Sequence, residues 1–102
     1  MKTEFLKENR ILFIFLSGEI DHASARDIIL FADSEIDVYR PSKLVLDFKN
    51  VSFADSSAIA IVIGRSNKMK KLGKTEKIKI QYVTPTIMKI FSFSGLESYI
   101  ER

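Results

Sequence analysis

The sequence predicts an α/β fold: one domain over residues 1–102, with a mixed and mostly parallel sheet of about four strands and three main helices. Strand-like and helix-like segments alternate along the chain, and this alternation favours parallel strands joined by helices. No internal repeat, low-complexity tract or linker interrupts the pattern. A length of 102 residues is typical of one domain and is enough to bury a hydrophobic core.

Four segments have the composition of strands. Residues 3–7 predict a short first strand, and a polar turn follows at residues 8–10. The apolar run ILFIFL (residues 11–16) predicts a strand buried on both faces, and KLVLDF (residues 43–48) predicts the next buried strand. The segment KIKIQYV (residues 77–83) alternates, which is typical of a strand near a sheet edge. Its predicted inward residues are Ile78, Ile80 and Tyr82, and its predicted outward residues are Lys77, Lys79 and Gln81.

Three segments have helical spacing. We expect Asp21 to cap the first helix, whose apolar stripe is Ala25, Ile29, Ala32, Ile36 and Tyr39. A second helix is predicted over residues 58–72 and ends before Gly73, with inward side chains Ile59, Val62, Ile63 and Met69. Thr84 and Pro85 begin a third helix, whose inner side is Ile87, Ile90 and Phe91. The residues after Gly95 are too few for another substantial element.

Composition excludes several classes of function. The chain has no cysteine and one histidine, so disulfides, thiolate chemistry and histidine-cluster metal sites are absent, and we expect no metal and no cofactor. No run approaches the roughly 18 apolar residues of a membrane span. The N-terminus lacks the apolar core of a signal peptide, so we expect a cytoplasmic protein without membrane insertion.

The formal net charge of +3 is concentrated in a basic cluster. Its members are Arg65, Lys68, Lys70, Lys71, Lys74, Lys77 and Lys79. Cations near the end of the second helix also favour its C-terminal dipole. Because no aromatic residues interleave with these lysines as in a stacking platform, we expect no direct contact with nucleic acid.

Enzymatic interpretations find little support. Ser57 with His22 and an aspartate would suggest a hydrolase triad, but the Gly-x-Ser-x-Gly pattern is absent around Ser57. No Walker-type glycine loop exists, and Asp47 lies within a predicted strand rather than beyond its end. We therefore expect no catalysis.

The polar group Asp55-Ser56-Ser57 lies directly before an apolar run. Asp55 or Ser56 is suited to cap the second helix. A serine in the first helical turn is also well placed to carry phosphate, since free amides and the helix dipole favour an anion there. The loops SGEIDHAS and KNVSFADSSA follow two parallel strands, so both should lie at the edge of the sheet where such folds bind partners. Ile61 should point partly outward beside the small residues Ala60 and Gly64, which suggests a docking surface.

Three segments together resemble the STAS domains of small bacterial anti-sigma factor antagonists. They are VSFADSSAIAIVIGR, LSGEIDHASA and VTPTIMKIFSFSGLESYI, and they cover nearly the whole chain in the family's order. The resemblance implies a STAS fold and a partner-switching function. The unphosphorylated antagonist would bind an anti-sigma factor that is a serine kinase and release the sigma factor. Phosphorylation would end this binding, and a serine phosphatase would restore it.

Carried over to this chain, the phosphorylated residue is Ser57. Asp21 matches the acidic residue of the family's partner-facing loop, and Asp55 matches the aspartate of the family motif. The residues that we expect to contact the partner are Asp21, His22, Asp55, Ser56, Ala58, Ile61 and Arg65.

The chain also departs from the family pattern. Ala58 and Ala60 stand where the family usually has glycine, and each methyl would add bulk where a kinase approaches. The family's final helix is expected to be missing. Two alternatives therefore stay open: a STAS interaction subunit of a signalling assembly or membrane transporter that is not phosphorylated, and a small-molecule or nucleotide sensor.

Overall fold

The computed structural model describes residues 1–76 and 78–101. The helices and strands follow the predicted order, which is confirmed. They are β1 (Lys2–Leu6), β2 (Ile11–Ile20), α1 (His22–Tyr39), β3 (Lys43–Ala54), α2 (Ser57–Lys71), β4 (Lys79–Gln81) and α3 (Pro85–Phe93), followed by a short 3-10 helix (Glu97–Tyr99).

The four strands form one sheet in the order β1-β2-β3-β4. β1 is antiparallel to β2, whereas β2 with β3 and β3 with β4 are parallel, as the alternation predicted. β2 and β3 continue beyond their apolar runs, to Ile20 and Ala54. The two extensions pair with each other through register shifts, so polar residues such as Ser17 and Asn50 remain in the ladder.

The hydrophobic core lies on one face of the sheet. Leu12, Ile14, Leu46 and Phe48 are fully buried there beneath the helices, and the Phe48 ring meets that of Phe91 from α3 edge-on at 5.6 Å. The other residues of β2, including Phe13, point to the opposite face and are half-buried. The prediction that β2 is buried on both faces is therefore wrong, because the helices pack against a single face.

The start of α1 is fixed by its cap. The Asp21 carboxylate accepts the Ser24 N–H at 2.8 Å, and the Ser24 hydroxyl accepts the Asp21 N–H at 3.0 Å, so Asp21 caps the helix as predicted. The buried side of α1 is rotated slightly from the predicted stripe. Its buried residues are Ala25, Ile28, Ala32 and Ile36, while Ile29 and Tyr39 are half-buried.

The rotation of α2 about its axis differs from the prediction. Its buried residues are Ala58, Ile61, Val62, Arg65, Ser66 and Met69. Ile61 is fully buried and Ile63 is 42% exposed, so the prediction that Ile61 points outward and Ile63 inward is wrong. The start of α2 is apolar on every side, so its sequence does not indicate which side is buried. Further along, the buried side includes the polar residues Arg65 and Ser66, which a hydrophobic pattern assigns to the surface.

Arg65 is buried at the contact between α1 and α2. Its Nε lies 2.8 Å from Oδ1 of Asp33 on α1, and this carboxylate compensates a charge that would otherwise be unpaired. Burial lowers the pKa of the Arg65 guanidinium, and Asp33 opposes that shift. Lys68 forms a second, more exposed ion pair with Asp37 at 2.9 Å. Two cations of the basic cluster thus join the helices.

β4 is shorter than predicted. Ile78 and Ile80 are buried as expected, but Tyr82 is 62% exposed and has a left-handed φ of 59°, which breaks the alternation. Gln81 faces away from the core, as expected, and its Nε2 donates to Oδ2 of the buried Asp47 at 2.7 Å. The predicted orientation of Lys77 lies outside the described residues.

The end of the described chain packs beside β4. Thr84 caps α3 by accepting the Ile87 N–H at 3.3 Å, as predicted, while Ile90 is only half-buried. Ile100 forms a parallel bridge with Ile80, and the Glu101 N–H donates to the Ile80 carbonyl at 2.8 Å. None of the described helices combines the length and apolarity that a membrane crossing requires.

The ion pair between Arg65 and Asp33 gives a prediction for stability. Arg65→Ala should lower the free energy of unfolding by about 2 kcal/mol, less than for a fully buried pair because Asp33 is partly exposed. Asp33→Ala should lower the free energy of unfolding much less in the Arg65→Ala background than in the wild type. Urea denaturation of the two single variants and the double variant measures this coupling, and strictly additive costs would contradict it.

Candidate partner-binding site

The two loops that carry the site lie side by side. β2 and β3 run parallel, so both end at the same edge of the sheet, as predicted. The Asp55 N–H donates to the Ile20 carbonyl at 3.0 Å and joins the two strand ends. This bond brings the starts of α1 and α2 together.

The polar group before α2 divides its roles between side chains. The Asp55 carboxylate accepts the Ser57 N–H at 2.7 Å and so satisfies a free amide at the start of the helix. Ser56 occupies the N-cap position but makes no capping hydrogen bond with its side chain. Of the two candidate caps, Asp55 therefore does this work, and Ser57 is the first residue of α2.

A surface groove of about 590 Å³ runs between the N-terminal halves of α1 and α2. The residues that define its walls are His22, Arg26, Ile29 and Leu30 from α1, and Ser57 and Ala60 from α2. Leu30 is 61% exposed. The groove combines an apolar lining with a basic rim, which suits recognition of another protein surface.

Ser57 faces this groove, whereas Ser56 is exposed outside it. Within the described chain, the Ser57 hydroxyl makes no hydrogen bond, so its oxygen is available for modification. The N-terminus of α2 places the positive end of the helix dipole beside it, which favours an anion, although the Ser57, Ala58 and Ile59 N–H groups already have acceptors.

Asp21 lies next to the groove, but its carboxylate is used to cap α1. The Ser24 N–H that it accepts lowers the pKa of the Asp21 carboxyl below its ordinary value of 3.8. His22 follows it, is exposed and lines the groove with Ser57. Across residues 1–76 and 78–101, no group of three or more His, Cys, Asp or Glu side chains is placed to hold a metal ion.

The structure separates the predicted contact residues into two sets. In the first set, Asp21, His22, Asp55 and Ser56 are exposed or half-buried around the start of the two helices, as is the predicted phosphorylation site Ser57.

The second set corrects the prediction. Ala58 and Ile61 are fully buried and Arg65 is 6% exposed, so their side chains belong to the core and to the contact between α1 and α2. They present little surface to a partner.

Apart from His22, the α1 wall of the groove was missed by sequence reasoning. His22, Arg26 and Leu30 follow each other at four-residue spacing, which places them along one side of α1. This stripe borders the buried one, and it was visible in the sequence. Its position opposite Ser57 depends on how the two helices pack, which spacing alone does not give.

The fold is that of a STAS domain. The family model for STAS domains matches residues 2–101, so the chain belongs to the STAS family.

Within that family, the similar proteins are anti-sigma factor antagonists. The chain is 27% identical over 96 residues to the anti-sigma F factor antagonist of Paenibacillus polymyxa, covering 94% of this chain and 80% of that protein. It is 31% identical over 84 residues to the antagonist of the same name from Lysinibacillus sphaericus, covering 81% of this chain and 69% of that protein.

Solved structures agree. The anti-sigma factor antagonist SpoIIAA in its unphosphorylated form superposes with a TM-score of 0.83 at 26% identity, covering 98% of this chain and 84% of SpoIIAA. The Bacillus cell fate determinant SpoIIAA in its phosphorylated form gives a TM-score of 0.74 at the same identity, covering 98% and 87%. These relatives are regulators rather than enzymes.

The Asp21 cap predicts a pH-dependent contribution to stability. Because folding lowers the pKa of this carboxyl, its charge stabilises the fold above about pH 3.8, and that contribution is lost as the pH falls through the folded pKa. Asp21→Asn keeps a capping oxygen but removes the charge. The variant should therefore be less stable than the wild type at neutral pH, and the difference should shrink in acid.

Urea denaturation of both proteins from about pH 7 to about pH 3 measures this difference. Asp27→Asn, the same change on an exposed part of α1 outside the cap, is the control. A difference between wild type and Asp21→Asn that stays constant with pH would contradict the assignment.

Proposed function

We propose that this protein is an anti-sigma factor antagonist that binds an anti-sigma factor serine kinase and thereby releases a sigma factor. Phosphorylation of Ser57 switches it off. The observation that carries this proposal is the position of Ser57, the first residue of α2, with an unbonded hydroxyl on a groove between two helices. The similarity to SpoIIAA, which also exists in a phosphorylated form, supports it.

The groove supplies the docking surface. Ile29, Leu30 and Ala60 offer apolar contact, and burial of such side chains provides most of the free energy of association. Arg26 adds a positive charge that selects partners with complementary charge. The partner contacts both helices and therefore covers Ser57.

Phosphorylation changes the charge of this surface without refolding it. The Ser57 oxygen forms a bond to the γ-phosphorus of ATP as the bond to ADP breaks, and the hydroxyl proton passes to a base of the kinase. The product carries an added charge of about −1.5 to −2 at neutral pH. The positive end of the α2 dipole favours the phosphate, while the partner must now desolvate an anion on docking. A serine phosphatase hydrolyses the phosphate and restores binding.

Burial of Ala58 bears on the choice between a switched antagonist and an unphosphorylated subunit. Its methyl group is fully buried in the core, so it adds no bulk where a kinase approaches Ser57. Of Ala58 and Ala60, it is Ala60 that lines the groove. Ala58 therefore no longer favours the unphosphorylated interaction subunit over the switched antagonist. Since the proposed partner acts on transcription, the protein is proposed to work in the cytoplasm.

Substitution of Ser57 tests the switch. Ser57→Asp should leave the fold intact but weaken binding to the anti-sigma factor of the source organism at least about tenfold, because an anion must be buried on docking. Ser57→Ala should bind like the wild type but accept no phosphate. Calorimetric titration measures binding, and mass spectrometry after incubation with ATP and the anti-sigma factor locates the phosphate.

Ser56→Ala is the matched control, since it should remain a substrate. Equal binding by wild type and Ser57→Asp would contradict the switch, and phosphate found only on Ser56 would contradict the site. Binding without any phosphorylation would favour the unphosphorylated interaction subunit.

Leu30 tests the docking surface separately from the switch. Leu30→Glu places a charge on the apolar wall of the groove and should weaken binding to the same anti-sigma factor about tenfold or more. Val38→Glu is the control, because Val38 is 68% exposed on the same helix but outside the groove. Equal losses for both variants would show that the partner does not use the groove.

A further inference from the structure

β1 lies at the edge of the sheet. Among the described residues, its one strand partner is β2, so the outer side of β1 presents backbone N–H and C=O groups to solvent. Such an edge is a template for pairing with another strand, and proteins commonly guard it with charged side chains. In β1 the exposed charged side chains are Lys2, which is positive, and Glu4, which is negative.

The two faces of β1 are clearly distinguished. The Thr3 hydroxyl donates to Oε1 of Glu35 on α1 at 2.9 Å, and the Phe5 ring stacks on that of Tyr39 at 4.8 Å, so the odd-numbered residues point towards the helix. The even-numbered residues Lys2 and Glu4 point to the opposite face of the sheet and are exposed.

This alternation restricts how a second copy of the chain can pair along the edge. If two β1 strands pair antiparallel with their helices on the same side, directly opposed residues must point to the same face. The central opposed pair is then Lys2 with Lys2, Thr3 with Thr3, Glu4 with Glu4, or Phe5 with Phe5. The registers centred on Lys2 and on Glu4 oppose like charges, which destabilises a strand pair. The register centred on Phe5 places Glu4 across from Leu6 and, within β1, brings no opposite charges together.

The register centred on Thr3 has the opposite property. It places Lys2 of each copy directly across from Glu4 of the second copy, twice by symmetry, and Met1 across from Phe5. Met1 is 45% exposed in the single chain, so this register also covers an apolar side chain. The same charges that oppose other registers therefore favour this one.

We propose that the β1 edge is a self-association surface, on which a second copy pairs antiparallel in the register centred on Thr3. The product is a symmetric dimer with one sheet of eight strands, four from each copy. The groove at Ser57 lies at the ends of β2 and β3 and contains no residue of β1. Self-association is therefore independent of the proposed switch.

Charge reversal tests this register. Lys2→Glu alone or Glu4→Lys alone opposes like charges in both symmetric pairs and should raise the dimer dissociation constant about 30-fold. The double variant with both changes restores opposite charges and should return to within about threefold of the wild type. Sedimentation velocity over a range of protein concentrations up to about 1 mM measures the constant for each protein.

Lys7→Glu is the matched control, because it changes the net charge equally just beyond the end of β1 and should have little effect. Circular dichroism of each variant verifies its fold, and the two single variants test the same pairs independently. A wild type that stays monomeric throughout, or a double variant as weak as the singles, would overturn the proposal. Recovery in the double variant supports it, since general loss of an edge strand would not be reversed by a second charge reversal.

Discussion

The parallel pairing of β2 with β3 is the constraint on which the rest of the structure depends. Leu12 lies opposite Leu44 and Ile14 opposite Leu46, so the two most apolar segments form a continuous buried surface for the helices. Parallel pairing also requires both strands to end at the same edge, where the hydrogen bond between Asp55 and Ile20 holds the following loops together. The groove beside Ser57 arises from this arrangement.

The order and type of the secondary-structure elements could be predicted because they depend on local periodicity and capping. Asp21 and Thr84 each cap a helix, as their side chains and positions suggested. The orientation of α2 could not be predicted, since an all-apolar run has no unique face and its buried stripe includes Arg65. That residue is recognisable as buried only when its partner Asp33 is known to lie on the facing helix.

The candidate site was predicted in part. Ser57 could be identified from the polar group that precedes an apolar helix, and His22 from its loop at the same edge. Arg26 and Leu30 complete the groove only through the distance and angle at which α1 packs against α2. Contacts between elements far apart in sequence carry no local signal, and this is why Ile61 was assigned to the surface although it is fully buried.

The ion pair between Arg65 and Asp33 also has a geometric consequence for recognition. Successive residues of an α-helix are turned by about 100° around its axis, so a rotation of α2 by one residue would direct Ser57 away from the groove. Arg65 lies on the same helix two turns further on and is joined to α1. The ion pair thus sets the direction in which Ser57 points around the axis of α2, although the partner need not touch the ion pair itself. A docking protein meets a serine that already faces the groove.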